Sequence, residues 1–140
     1  MEWNRVDYRL AYRGQLRTEM THLASGQVVP TDAPVDNHGK GEAFSPTDIV
    51  ASGLAACMMT VLGIKANEMG IPLERMEAEV MKSMTAAPRR IAGIGVRLYL
   101  SAPQASERDR HVLEATARAC PVARSLHPDL EQDLTFIWEA

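Results

Sequence analysis

Ser45-Pro46-Thr47-Asp48-Ile49-Val50-Ala51-Ser52-Gly53-Leu54-Ala55-Ala56-Cys57 is the stretch on which the fold reading turns. Serine is a strong helix N-cap, Pro46 suits the first helical position, and Asp48 falls three residues after the cap, within reach of the cap's backbone N–H. The helix begun here is predicted to run to Glu68 or Met69, where Gly70 stops it and Pro72 follows. Ala51, Ser52, Gly53, Ala55 and Ala56 crowd its middle. Small residues let another backbone come close, so the helix is expected to be central and tightly packed. Counted by threes and fours, Cys57 shares an apolar face with Val50, Gly53, Leu54, Val61 and Ile64, which predicts a thiol that is buried or at the base of a pocket.

Toward the N-terminus, Val6, Tyr8, Leu10 and Tyr12 alternate, Arg13-Gly14-Gln15 turns the chain, and Leu16, Thr18 and Met20 read as a second strand. Ser25-Gly26 marks another turn before a short third strand at Val28-Val29. Thr31 to Phe44 has no period and holds Pro34, Asn37, Gly39 and Gly41; a loop of fourteen residues is long enough to suggest a functional role. Beyond the helix, Arg75 to Thr85 alternates, Pro88-Arg89-Arg90 reads as a turn, and Ile94, Val96, Leu98 and Leu100 share one face of the clearest strand. A second helix starts at Ser106, with Asp109 completing its cap and Val112, Leu113, Thr116, Ala117 and Cys120 on its apolar face. Pro121 interrupts it, Val122 to Leu126 forms a short extra turn, and Leu134 to Trp138 is a last strand. Strand runs separated by single helices indicate an α+β fold, with residues 1–140 as a single domain.

A chain of 140 residues with 46% apolar and 24% charged residues suits one globular core rather than disorder. The net charge of −3 comes without a basic tail or stripe, which argues against a nucleic-acid partner and against attraction to anionic membranes. The longest uncharged run, Ile49 to Ile64, has sixteen residues. A spanning helix needs roughly 20, so this run is expected to be a buried helix of a soluble protein. The start Met1-Glu2-Trp3-Asn4-Arg5 lacks the apolar run of a signal peptide, so a cytoplasmic, reducing setting is expected. In such a setting a permanent structural disulfide is not expected.

Two cysteines then have three readings: inert core residues, a redox pair, or metal ligands. Apolar burial raises a thiol's pKa, so Cys57 as a nucleophile needs a cation nearby. Cys120 is ambiguous. As the end of one helix it faces a partial negative charge; as the cap before Pro121 it faces a partial positive one.

The motifs here are specific. Phe44 to Cys57 resembles the signature helix of the OsmC/Ohr family, and Cys120-Pro121-Val122 with Ser125-Leu126 resembles its second signature. Pro88-Arg89-Arg90-Ile91 and Asp32-Ala33-Pro34 resemble a sub-branch distinct from the best-known peroxidases. The resemblance runs nearly the whole chain. It implies antiparallel sheets packed around two long central helices, and an intertwined homodimer with two sites at the subunit interface. It further implies thiol-dependent reduction of organic hydroperoxides in oxidative or osmotic stress defence. Cys57 would attack the peroxide and become a sulfenic acid, Cys120 would condense with it to a disulfide, and a dithiol, of lipoyl type in several members, would restore both. No metal, haem or flavin is implied.

One departure bears on the chemistry. The family's peroxidases carry Glu directly after the helix-starting proline, paired with an Arg that supports the thiolate. Here that position is Thr47, and Asp48 points about 100° away round the helix. Glu42 in the preceding loop is the replacement candidate, and Arg17 or Arg13 the candidate cation, with Asn37 and His38 at the position of the other branch's Arg. His38 also suits a proton donor beside a thiolate. Arg89 and Arg90 read by default as solvated turn charges. Asp32, Asp36 and His38 match no strong metal-ligand spacing. The methionines, Met58 and Met59 beside Cys57 among them, read as core filling ahead of a lining for oily substrates. Thr47 favours an alternative: a non-enzymatic redox sensor, or a lipid- or acyl-binding protein with a hydrophobic small molecule as partner, on the same fold.

Overall fold

Strand pairing in the computed structural model, which describes residues 1–140, sorts six strands into two three-stranded sheets. The chain divides into two compact units, Met1–Ile49 and Val50–Ala140.

In the first unit, β1 (Tyr8–Gly14), β2 (Arg17–His22) and β3 (Val28–Asp32) form an antiparallel meander in that order. Gly14, Gln15 and Leu16 all take positive φ at the first turn, where the register also shifts, and the Leu16 N–H donates to the Tyr12 hydroxyl at 3.2 Å. Gly26, at φ 76°, supplies the left-handed residue of the second turn. The alternation at Tyr8, Leu10 and Tyr12 does produce a strand, but these side chains are 62–66% exposed. The segment expected to be a loop, Thr31 to Phe44, is compact. Its ends meet through Asp32 N–H to Phe44 O at 3.2 Å, and a 3-10 turn at Val35–Asn37 fills it. Gly39 lies so close to Ala33 that a Cβ would fall 1.8 Å from the Ala33 carbonyl oxygen.

Helix α1 (Pro46–Glu68) opens on a capping box: Ser45 Oγ accepts from Asp48 N–H at 3.1 Å, and Ser45 N–H donates to Asp48 Oδ2 at 2.9 Å. At 23 residues it is long and apolar enough, by length and composition, to cross a membrane; the sixteen-residue uncharged run understated it. One side of it completes the core of the second unit, as core helices of soluble proteins also do.

In that unit β4 (Arg75–Ala86) pairs antiparallel with β5 (Arg89–Ser101), and β6 (Glu131–Glu139) pairs parallel with β5. The expected purely antiparallel sheets are therefore corrected to one antiparallel and one mixed sheet. The cause is connectivity: α2 (Glu107–Arg118) and α3 (Pro121–Ser125) lie in the β5–β6 crossover, the length of connection that parallel pairing needs. Within this chain α1 is the long helix: α2 is 12 residues and Pro121 starts a separate five-residue α3. The β4–β5 turn falls at Ala87-Pro88, so Arg89 and Arg90 are exposed first residues of β5 rather than turn residues.

Ile94, Val96, Leu98 and Leu100 turn inward as their alternation predicted, and pack with Leu113 and Ala117 of α2 and Leu54, Met58 and Leu62 of α1. The buried side of α1 is thus Ala51, Leu54, Ala55, Met58, Leu62 and Ala66, one position round from the face predicted to hold Cys57. A helix apolar nearly all the way round offers no moment to choose a face. Val50 and Ile64 stand 39% and 53% exposed as a result. The methionines divide: Met58 is core, whereas Met81 is 71% exposed.

Leu98 is fully buried at the centre of this packing. Leu98→Ala is expected to lower unfolding free energy by about 2–5 kcal/mol in urea titrations, without changing the far-ultraviolet circular dichroism of the folded form.

Candidate functional site

Cys57 stands midway along α1 on the border of its buried side and is partly exposed; of the two placements its apolar face allows, burial or the base of a pocket, full burial is not the one found. Cys120 arrives from the other direction. The residue before a proline is driven out of the helical region, so Cys120, at φ −64° and ψ 155°, leaves α2 and becomes the N-cap of α3. Its Sγ accepts the Ala123 N–H at 3.4 Å. The same side chain is 1% exposed and belongs to the core cluster against which Cys57 packs.

Both cysteines are free thiols, and Cys57 packs against the core cluster that holds Cys120, close enough to influence it electrostatically. Burial pushes the Cys120 thiol pKa up. Backbone N–H groups of Ala123 and Val122 pull it down, and the contact with Cys57 raises it further. The ambiguity left by the sequence is thereby resolved in two parts. Cys120 occupies the electropositive cap, yet desolvation outweighs the cap, and it is a thiol that keeps its proton.

A second polar cluster lies in the first unit. Arg17 Nε and Nη2 each donate to the Asp32 carboxylate at 2.7 Å, and Asp32 is 1% exposed. Glu42 N–H donates to Asp32 Oδ2 at 3.1 Å, and the exposed Glu42 carboxylate stands 3.5 Å from Arg17 Nη2. Arg17 and Glu42, both named from sequence, are brought together. The group that joins them, Asp32, was not assigned that part. It was legible in principle: a hairpin closing at His22 and Gln27 sets Arg17 opposite Asp32. Hydrogen bonds from Arg17 hold the Asp32 pKa below its ordinary value, against the effect of desolvation, and Asp32 in turn raises that of Arg17.

The remaining candidates lie elsewhere. His38 is exposed in a left-handed conformation, φ 67°, at the end of the 3-10 turn that contains Asn37. Arg13 pairs with Glu19 at 2.9 Å on the exposed sheet. Thr47 Oγ1 is 3.2 Å from Ser45 Oγ at the helix start, and Asp48 is part of the cap. No group of three or more His, Cys, Asp or Glu is arranged to hold a metal ion.

The family model described as OsmC-like protein matches residues 39–134, the span that carries both cysteines. The chain belongs to the OsmC-like family. A solved structure from Psychrobacter arcticus 273-4, described as an osmotic stress induced and detoxification response protein, is 43% identical over 96% of this chain and 98% of that one, with a TM-score of 0.86. An OsmC-like protein of Mycoplasma pneumoniae is 15% identical over 99% and 100% of the two chains (TM-score 0.81). The organic hydroperoxide resistance protein OsmC of Legionella pneumophila is 21% identical over 93% and 96% (TM-score 0.70). The latter two bear on the fold alone, and it is the α+β OsmC-like fold with two sheets and helices. No curated protein matches the sequence.

In this OsmC-like protein the Arg17–Asp32 pair predicts a specific acid response. Asp32 has a folded pKa below its unfolded value of about 3.9, so its stabilisation is present above that pH and is lost as pH falls through the lower folded value. The melting-temperature gap between the parent and Asp32→Asn is expected to be widest near neutral pH and to shrink below about pH 4. A gap that stays constant to about pH 2 would remove the pair from the acid transition.

Proposed function

We propose that the chain is a thiol-dependent organic hydroperoxide reductase in which Cys57 is the nucleophile and Cys120 resolves it. One observation carries the reading: two reduced, neighbouring thiols differ in burial, the partly exposed Cys57 being open to substrate and the buried Cys120 holding its proton. The Cys57 thiolate attacks one peroxide oxygen, the O–O bond breaks, and the alcohol departs with a proton, leaving a sulfenic acid. Cys120 Sγ then bonds to Cys57 Sγ, and its proton leaves with the hydroxyl as water. An external dithiol, in a cytoplasmic setting, returns both thiols and becomes a disulfide itself.

The related structure named for organic hydroperoxide resistance supports this class of substrate, through the fold it shares. A second reading rests on Thr47, which has no carboxylate where the family's peroxidases have Glu. A hydrophobic-ligand binder or redox sensor would keep the thiols without rapid turnover. The assay that separates the two is consumption of an organic hydroperoxide under a dithiol. The parent is expected to turn over, Cys57→Ser to lose at least about 100-fold in rate, and Cys120→Ser, with the dithiol left out, to stop after one equivalent as a sulfenic acid. Turnover by Cys57→Ser equal to the parent rules out Cys57 as the nucleophile; no turnover by the parent favours binding.

The reading extends to a homodimer. A helix apolar all round is normally covered on every side, yet Val50 and Ile64 of α1 are exposed, as are Tyr8, Leu10 and Tyr12 on the first sheet. A second copy is the occupant that suits both faces, and a two-fold contact counts each substitution twice. Leu10→Glu is expected to weaken association by about 10²–10⁴-fold, from roughly 1.5–3 kcal/mol per buried leucine, read by sedimentation equilibrium.

A further inference from the structure

Cys120 Sγ has a function that peroxide chemistry does not use: it is the acceptor that caps α3. A five-residue helix has little stability of its own. Helix α3 is held by that cap, by Arg124 Nε to Ala119 O at 3.0 Å, by Ser125 Oγ to Pro121 O at 2.7 Å, and by Gln132 Nε2 to Ala123 O at 3.0 Å. Cys57, by contrast, is fixed in the middle of a 23-residue helix, with Leu54 and Met58 fully packed on either side. A disulfide needs sulfurs about 2.05 Å apart, closer than two unbonded sulfurs can stand, and both cysteines are free here. One sulfur therefore has to move, and the long, core-anchored helix is the stiffer mount.

We propose that disulfide formation between Cys57 and Cys120 draws Cys120 Sγ away from the Ala123 N–H and uncaps α3, so that Pro121–Ser125 opens in the oxidised protein. The inference rests on the redox reading above. In the step, Cys57–SOH and Cys120–SH give the S–S bond and water, the hydroperoxide having supplied the oxidising equivalents. Opening has a chemical consequence: Cys120, 1% exposed when reduced, becomes reachable by the dithiol that must attack the disulfide. Pro121, Arg124 and Ser125, already at the surface, become the place where oxidation state is displayed.

Amide hydrogen exchange of the full-length chain, reduced and fully disulfide-bonded, tests this. Exchange at Ala123 and Arg124 is expected to be about 10-fold faster in the oxidised form, the usual worth of an N-cap, while α2 is unchanged. Cys120→Ser, which keeps a capping oxygen and forms no intramolecular disulfide, is expected to show no oxidant-dependent change. Equal protection of Ala123 and Arg124 in reduced and disulfide-bonded protein overturns the proposal. If cumene hydroperoxide yields no disulfide, the peroxidase reading fails; the disulfide is then made with diamide, and the same exchange comparison still decides on uncapping. Failure to form it with either oxidant overturns both.

Discussion

The packing of one side of α1 against the inner face of β5 is the constraint on which the site depends. Leu54, Met58 and Leu62 meet Ile94, Val96, Leu98 and Leu100, and nothing apolar remains exposed along that line. A rotation of the helix by one residue, about 100°, would bury Cys57 and expose Met58. The packed orientation leaves the thiol at the edge of the core, next to a buried partner and open on its other side. The partial exposure of Cys57 is thus set by which residues of a largely apolar helix the sheet selects.

Pro121 places the second thiol by a different route. It excludes helical geometry at Cys120, ends α2, and starts α3 from the same residue. The side chain is left pointing into the core cluster while its sulfur caps the following turn. Two opposed influences act on it, desolvation favouring the thiol and the cap favouring the thiolate. Desolvation is the larger, so Cys120 holds its proton, and the two cysteines differ in exposure, Cys120 buried and Cys57 partly exposed.

Local signals were legible in the sequence where they were short-ranged and unambiguous. Ser45, Pro46 and Asp48 announced α1, Ser106 and Asp109 announced α2, and alternation from Ile94 to Leu100 gave the buried face of β5. Three features escaped for one shared reason, namely that they depend on partners distant in sequence. The buried side of α1 is chosen by the sheet, since the helix has no polar face to exclude. Parallel pairing of β6 follows from the crossover, which strand composition does not encode. The Arg17–Asp32 pair follows from hairpin register rather than from any motif. The exposed alternation at Tyr8, Leu10 and Tyr12 marks a further limit: period two identifies a strand and its apolar face, but not what covers that face.

The Asp32 cluster changes what a cation near the chain's long loop can be. Asp32 takes two hydrogen bonds from Arg17 and one from Glu42 N–H, and its own N–H reaches Phe44 O. A single buried carboxylate thereby ties β2 to both ends of the loop that leads into the helix cap. With Glu42 alongside, one guanidinium faces two carboxylates, and the group is one unit negative in total. An arginine so engaged is a structural cation first. Where a free guanidinium would attract any anion, this one is oriented and largely neutralised by Asp32, so its field depends on whether the exposed Glu42 stays in place. The acidic partners of Arg17 are thus supplied from β3 and the loop, by Asp32 and Glu42.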